Sequence, residues 1–326
     1  MKPVEVRGII PPVITPMGPD EEVNLEELRR QVERLLESGV HGIFCFGTNG
    51  EGYALDGGEK RQILKAAVSQ VRGRVPVYAG TGCVTTRETI AQSRMACEEG
   101  ADVLSIVTPS FGAASQQELY DHYAAVARAV DLPILLYNIP ARTGNTLLSE
   151  TVARLAQLPN IVGIKDSSGD WNSMLAYLEI GKSGDFAVLS GNDGLILDCL
   201  RSGGKGAVAG CANVYPRTLV SLYHRFLAGD GEGAQREQES LASFRQCFQY
   251  GGSGTVIKAA VDMLGYDVGR CRAPFHLLPQ EGAAALKRVL EENREKEGFQ
   301  RVRRRRPPLP FGTFAARGED AGRSRG

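Results

Sequence analysis

One lysine in the sequence, Lys165, directly follows the apolar run Ile161–Ile164. Burying an ammonium group is costly unless the group is paired or loses its proton. Desolvation favours the neutral amine, which is a nucleophile and can form a Schiff base with a ketone. An ion pair with Asp166 or another carboxylate, or a place just beyond the end of a strand, would also explain this residue. Position alone therefore leaves both interpretations open.

Polar groups also end two other apolar segments. Tyr137 could relay a proton through its hydroxyl, or it could be a core aromatic residue with one satisfied hydrogen bond. The turn Gly47–Gly50 offers backbone N–H groups and the Thr48 hydroxyl to an anion such as a carboxylate, or it is a tight turn that needs glycine. Arg142 follows a Pro-Ala pair and could bind a carboxylate through two parallel hydrogen bonds, or form a surface salt bridge.

Eight short apolar runs rich in Val and Ile could be the strands that position these groups. They begin at Gly8, Gly42, Val75, Ala101, Leu132, Ile161, Phe186 and Gly206. Continuous apolar runs are typical of strands buried on both faces, and amphipathic stretches with N-cap signals at Thr85 and Ser115 lie between them. Eight strand-then-helix units in about 220 residues predict a (β/α)8 TIM barrel, since the rival open sheet normally has about five or six strands.

The pattern changes after Gly229. Helical periodicity without intervening strands covers 232–250, 254–265 and 280–297. We therefore predict three regions: a barrel over 1–228, a C-terminal helical region over 229–297 and a disordered Arg-rich tail over 298–326.

Charge is unevenly distributed along the chain. The net charge is zero, but Phe299–Gly326 holds eight Arg against Glu319 and Asp320, a net of +6, so the remaining 298 residues carry −6. A mildly acidic body is not typical of a nucleic-acid surface. The Arg run could contact nucleic acid or an acidic surface, but we expect a solvated tail and no nucleic-acid partner.

Composition excludes several other classes. No apolar run reaches the roughly 20 residues that span a bilayer, and Met1–Glu5 has no signal-peptide character. Seven scattered Cys without a CxxC pair are typical of reduced thiols, so we expect a cytoplasmic protein. The four His are far apart, which argues against a zinc site and against a nucleophile–His–acid triad.

Several motifs occur together in one order: GTNGE at 47–51, AGTG at 79–82, YNIPARTG at 137–144, GIKDSSG at 163–169, SGND at 190–193 and CRAP at 271–274. With these motifs, the chain resembles the family of dihydrodipicolinate synthase and N-acetylneuraminate lyase, the class I pyruvate-dependent lyases and aldolases, over roughly 6–296. The resemblance implies a barrel with C-terminal helices that assembles as a homotetramer or homodimer.

The resemblance also implies roles for individual residues. Lys165 would form an imine with the keto carbon of pyruvate, Tyr137 would relay the proton, and Thr48 would be its hydrogen-bonded partner. The substrate-binding residues would be Thr48, Asn49, Arg142 and Val208, with Thr48 and Asn49 on the pyruvate carboxylate. No metal or organic cofactor is implied.

The second substrate separates the branches of this family. Arg142 favours the synthase branch, in which pyruvate condenses with aspartate semialdehyde. Asn49, where the synthases usually have Thr, and Phe111, where they usually have a Tyr that reaches across a dimer, are more similar to aldolases. Cleavage of a 2-keto-3-deoxy sugar acid or of 4-hydroxy-2-oxoglutarate is therefore the alternative activity, and a catalytically dead ligand-binding barrel is the alternative class.

Overall fold

The computed structural model describes residues 4–182 and 184–299 of the 326-residue chain. Its eight parallel strands form one sheet in the order β1-β8-β7-β6-β5-β4-β3-β2. The strands are β1 Gly8–Ile10, β2 Ile43–Cys45, β3 Val77–Gly80, β4 Val103–Val107, β5 Ile134–Asn138, β6 Ile161–Asp166, β7 Ala187–Ser190 and β8 Gly206–Val208. This arrangement confirms the predicted (β/α)8 barrel.

The two ends of the sheet meet just beyond β1. Phe44 of β2 forms a parallel bridge with Pro12, donating its N–H to Pro11 O and accepting the Val13 N–H. Asn213 closes the same region, because its buried amide accepts the Ile14 N–H and donates to Pro12 O. The eight strands therefore enclose a nearly complete ring.

The helices that follow each strand cover the outside of the ring. They are α1 Leu25–Glu37, α2 Gly57–Val71, α3 Thr86–Glu98, α4 Gln116–Ala129, α5 Pro140–Thr143, α6 Ser149–Leu155, α7 Trp171–Lys182, α8 Ile196–Arg201 and α9 Pro216–Leu227. Thr85 and Ser115 are the N-caps of α3 and α4, as predicted, and Ser115 forms a full capping box with Glu118.

Helices also follow the barrel. They are α10 Gly231–Glu239, α11 Ala242–Gln246, α12 Ser253–Met263, α13 Gln280–Glu292 and α14 Arg294–Glu297. The single helix predicted over 232–250 is wrong, because α10 ends at Glu239, α11 begins at Ala242 and a 3-10 turn covers Cys247–Tyr250. Leu241 and Phe244 are both buried. Phe244 packs edge-on against Tyr215, with 5.0 Å between the ring centroids.

The residue Phe299, after α14, falls within the predicted tail. Phe299 packs against Tyr215, and its N–H donates to Arg294 O. Phe299 therefore belongs to the packed body, whereas the rest of the predicted tail, 300–326, lies outside the described residues. Across 4–182 and 184–299, no helix has the length and apolar character needed to cross a membrane.

Two apolar cores hold the barrel together. The larger lies between the strands and the helices, and the smaller fills the inside of the ring. The inner core consists of Val6, Ile10, Phe44, Tyr78, Val103, Leu135, Ala187, Leu189 and Val208. A filled lower ring leaves only the C-terminal mouth of the strands open for chemistry.

Candidate active site

Lys165 and Tyr137 lie side by side inside the mouth of the barrel. They are paired in the register of β6 and β5, so their side chains share one level and one face. Lys165 is 3% exposed, and its Nζ lies 3.7 Å from the centroid of the Tyr137 ring and 5.3 Å from that of Phe44. The aromatic faces attract the ammonium form while the site keeps water away from it.

Asp166 is not the partner of Lys165. Adjacent residues of a strand point to opposite faces, so the Asp166 carboxylate lies on the helix side, where it accepts hydrogen bonds from Asn138 Nδ2 at 2.9 Å and Ser168 Oγ at 2.7 Å. No carboxylate of the described residues lies within ion-pair distance of Lys165 Nζ. The structural alternative of an ion pair with Asp166 is therefore wrong.

Glycine at position 191 gives Lys165 its space. A Cβ at this position would lie 2.9 Å from Lys165 Cε and 2.0 Å from Ser167 Oγ, so a side chain would displace the lysine. The Gly191 N–H donates to Asp166 O, which fixes the approach of the two strand ends.

Tyr137 is tied to the turn after β2. Its hydroxyl lies 3.2 Å from Thr48 Oγ1, at hydrogen-bond distance. Burial raises the pKa of Tyr137, but the charge of Lys165 and hydrogen bonds with Thr48 and Ser167 outweigh it, so the pKa is below its ordinary value. A tyrosine that gives up its proton more readily is suited to proton transfer. Ser167 had not been selected from the sequence, although it lies two residues after Lys165.

The turn that carries Thr48 is a short 3-10 turn, Thr48–Gly50, that ends on Glu51 in the left-handed region at φ 57°. A Cβ at Gly50 would lie 2.7 Å from Val13 O, so the turn needs glycine there. The Asn49 side chain is buried and accepts a hydrogen bond from Ser253 Oγ at 2.8 Å. Its amide oxygen is thus used in packing, the backbone of the turn and the Thr48 hydroxyl are suited to an anion, and the contact of Asn49 with the carboxylate stays a prediction.

A cavity of about 550 Å³ opens from these groups to solvent. Thr48, Tyr137 and Arg142 line it, together with Ser105 and Ser253. Arg142 is exposed, lies in α5 at the mouth of the cavity and makes no ion pair with any described residue, so its guanidinium is available to a ligand. The Ser105 hydroxyl is buried and has no hydrogen-bond partner among the described residues, which leaves it for water or substrate.

The structure separates two other selected residues from this group. Val208 is 2% exposed and packs in the inner core at the end of β8, so its substrate contact stays a prediction. The Phe111 side chain is fully exposed to solvent, and its backbone is in the left-handed region with φ at 75°. The buried amide of Asn145 holds the Phe111 loop by donating to Pro109 O and Gly112 O and accepting the Ala114 N–H.

Asp193, in the SGND motif at the end of β7, is a buried carboxylate whose pKa responds to the charge of Lys165, and no role of its own was assigned to it from the sequence. Its Oδ1 accepts the Cys211 N–H at 3.2 Å. Burial raises the pKa of Asp193, and the hydrogen bond from Cys211 and the charges of Arg245 and Lys165 partly offset this effect. Across the described residues, no three His, Cys, Asp or Glu side chains converge into a group that could hold a metal ion.

Comparisons with known proteins agree with this geometry. The model of the dihydrodipicolinate synthetase family matches residues 5–293. The chain belongs to this family. The resemblance found in the motifs is thereby confirmed.

Individual members of the dihydrodipicolinate synthetase family are similar over most of the chain. The 4-hydroxy-tetrahydrodipicolinate synthase of Methanoculleus marisnigri is 39% identical over 285 residues, 87% of this chain and 98% of the relative. A DapA-like lyase of Halobacterium salinarum is 35% identical over 292 residues, 89% of this chain and 95% of the relative. The dihydrodipicolinate synthase of Acinetobacter baumannii, solved with pyruvate, superposes with a TM-score of 0.85 at 33% identity, over 90% of this chain and 99% of that one.

Proposed function

We propose that this chain is a lyase that condenses pyruvate with aspartate semialdehyde, the reaction of a 4-hydroxy-tetrahydrodipicolinate synthase. The observation that carries the proposal is a buried lysine, Lys165, without a carboxylate partner and in contact with a tyrosine of lowered pKa. A structural lysine in this place would have an acid beside it. The names of the relatives support the choice of reaction.

The chemistry follows from the positions of three groups. The Lys165 nitrogen attacks the keto carbon of pyruvate and water leaves, which gives an imine whose cationic form withdraws electrons. Loss of a methyl proton then gives an enamine, whose carbon forms the new bond to the aldehyde carbon. Tyr137, with Thr48 at hydrogen-bond distance, carries the protons of these steps.

Two anion sites would orient the substrates. The backbone of the Thr48–Gly50 turn and the Thr48 hydroxyl suit the pyruvate carboxylate, because they lie beside Tyr137. Arg142 suits the carboxylate of aspartate semialdehyde, because its unpaired guanidinium lines the cavity further out. The cavity of about 550 Å³ has room for both molecules.

A second activity is favoured by Phe111, which has no hydroxyl to extend the Thr48–Tyr137 chain. Aldol cleavage of 4-hydroxy-2-oxoglutarate or of a 2-keto-3-deoxy sugar acid would use the same imine in the reverse direction. Assays of all three candidate substrates with one preparation separate the two activities, because the synthase should show at least about a hundredfold higher kcat/KM for its own pair.

We also propose that the enzyme works as a homodimer or homotetramer in the cytoplasm. Tyr53, Val84, Phe111 and Phe275 expose large apolar side chains, and three of them line the cavity mouth. Exposed apolar side chains of this size favour a partner copy. The described cysteines are all unpaired, which supports a reducing compartment. Sedimentation of the wild type and of Phe111→Asp tests the assembly.

Borohydride reduction with labelled pyruvate tests the imine directly. Mass spectrometry should place one reduced pyruvate on Lys165, and Lys165→Ala should carry none. No label on folded protein would leave the chain as a ligand-binding barrel without catalysis, and label at another residue would overturn the role of Lys165.

A further inference from the structure

A buried ion pair lies directly behind the Thr48–Gly50 turn. Lys258 of α12 places Nζ 2.5 Å from Oε1 of Glu51, and the two side chains are 1% and 0% exposed. Withdrawing two charges from water costs at least as much as their attraction returns, so apolar residues of the same size would stabilise the fold equally well. The pair therefore calls for a role other than stability.

The remaining atoms of the pair connect the turn to a distant segment. Glu51 Oε2 accepts the Arg272 N–H at 2.7 Å, and Lys258 Nζ donates to Arg270 O at 2.7 Å. The Glu51 N–H in turn donates to Thr48 O and closes the turn. Glu51 is thus held from two sides while its own backbone fixes the position of Thr48.

A second contact reaches the same turn from α12. Ser253, the first residue of that helix, donates its hydroxyl to Asn49 Oδ1 at 2.8 Å. Behind it, the Arg272 guanidinium binds both carboxylate oxygens of Glu59 and two backbone carbonyls, which anchors the segment that carries the Arg272 N–H. The C-terminal helical region therefore completes one wall of the barrel mouth.

We propose that Glu51 and Lys258 are positioning residues for the 2-oxo acid, which hold the Thr48–Gly50 turn in the geometry that receives its carboxylate. The proposal rests on the proposed function, because it assumes that a 2-oxo acid carboxylate binds at this turn. A charged pair with fixed geometry specifies one position of the turn, whereas an apolar contact would allow several.

The test replaces both charges together, because removal of one partner would leave an unpaired buried charge and unfold the protein. Glu51→Gln with Lys258→Met keeps an oxygen for the Arg272 N–H. The matched control is Glu237→Gln with Lys296→Met, an ion pair of the same C-terminal region that is partly exposed and does not contact the turn. The readout is the pyruvate concentration that gives half-maximal borohydride labelling of Lys165, with near-ultraviolet circular dichroism as the check on folding.

We expect the paired variant to fold and to need about tenfold more pyruvate, while the control stays within about twofold of wild type. An unchanged pyruvate requirement in the folded variant, or an equal change in the control, would overturn the positioning role and leave the proposed function intact. Absence of label on the wild type would overturn both.

A milder variant tests the second contact between α12 and the turn. Ser253→Ala removes only the hydrogen bond to Asn49 and leaves the ion pair in place. A rise of about threefold in the pyruvate requirement would support the role of the C-terminal region in holding the turn, and an unchanged value would contradict it.

Discussion

The hydroxyls of Thr48 and Tyr137 lie 3.2 Å apart although 89 residues separate them in the chain. The contact joins the turn after β2 to the end of β5, and the charge of Lys165 acts on the same tyrosine. The group that we propose to bind the carboxylate and the group that we propose to move the proton are thus one hydrogen-bonded unit.

Thr48→Val should lower kcat by about one to two orders of magnitude, because it removes a hydrogen bond that lowers the pKa of Tyr137. Spectrophotometric titration should show the tyrosine ionising at higher pH in this variant. Since the two hydroxyls act together, Thr48→Val with Tyr137→Phe should lose no more activity than Tyr137→Phe alone. Additive losses would mean that the two residues act separately.

Arg142→Ala should raise the KM for aspartate semialdehyde far more than the KM for pyruvate. Loss of a two-bond contact with a carboxylate should cost about 2–4 kcal/mol of binding free energy. Arg142→Lys, the matched control, keeps the charge and should recover only part of the loss. Steady-state kinetics with each substrate varied in turn measures both effects, and equal effects on the two substrates would remove the synthase assignment.

Phe111→Tyr should increase synthase turnover, because it supplies a hydroxyl at the tip of a loop that Asn145 holds in place. The measurement is kcat with pyruvate and aspartate semialdehyde. A fall or no change would mean that the aromatic ring serves another substrate. Asn145→Ala should weaken the effect of the added hydroxyl, because the loop loses its three hydrogen bonds to this side chain.

Acidification should destabilise the fold through His122, whose Nδ1 is 2.9 Å from Thr86 Oγ1. Burial lowers the pKa of His122 to about 4, below the value of about 6.5 in an unfolded chain. Between these values the unfolded state binds more protons, so the contribution is present above about pH 6.5 and is lost as the pH falls towards 4.

Denaturant unfolding at a series of pH values measures the effect of His122. The wild type should lose about 1–3 kcal/mol more than His122→Asn between pH 7 and pH 4. Parallel profiles for the two proteins would show that His122 is not responsible. Because the loss of unfolding free energy is compared between the two proteins, the contributions of the titrating groups that both proteins share cancel.

Deletion of 300–326 should leave turnover unchanged, because all the residues that line the cavity lie between Phe44 and Phe275. Retention on RNA or DNA at increasing salt tests whether the Arg run binds nucleic acid. A deletion that lowers kcat would give the tail a part in catalysis.

By contrast, Glu297→Ala should lower the free energy of unfolding, because this buried carboxylate accepts the N–H groups of Arg217 and Thr218 at the start of α9.

The sequence by itself determined the barrel fold and the end of the barrel at which the candidate site lies. Strands of a parallel barrel are apolar on both faces, so eight Val- and Ile-rich runs are visible without alignment, and their polar ends mark the mouth. Lys165 could be selected from the sequence because a charged residue next to an apolar run has few structural explanations. Helix ends also have local signals in the sequence, glycine at the last turn and an N-cap residue at the start. The N-cap signals correctly predicted Thr85 and Ser115 as the N-caps of α3 and α4.

Only the tertiary structure decided which groups meet. The Lys165 side chain could have paired with a carboxylate on any strand, and only the packed barrel shows that Tyr137 is its neighbour. Lys258 and Ser253 reach the Thr48–Gly50 turn from more than 200 residues away, and no local pattern encodes such a contact. The direction of Phe111 depends on the amide of Asn145. Periodicity reports which face of an element is buried, whereas the partner on that face is set by packing of the whole chain.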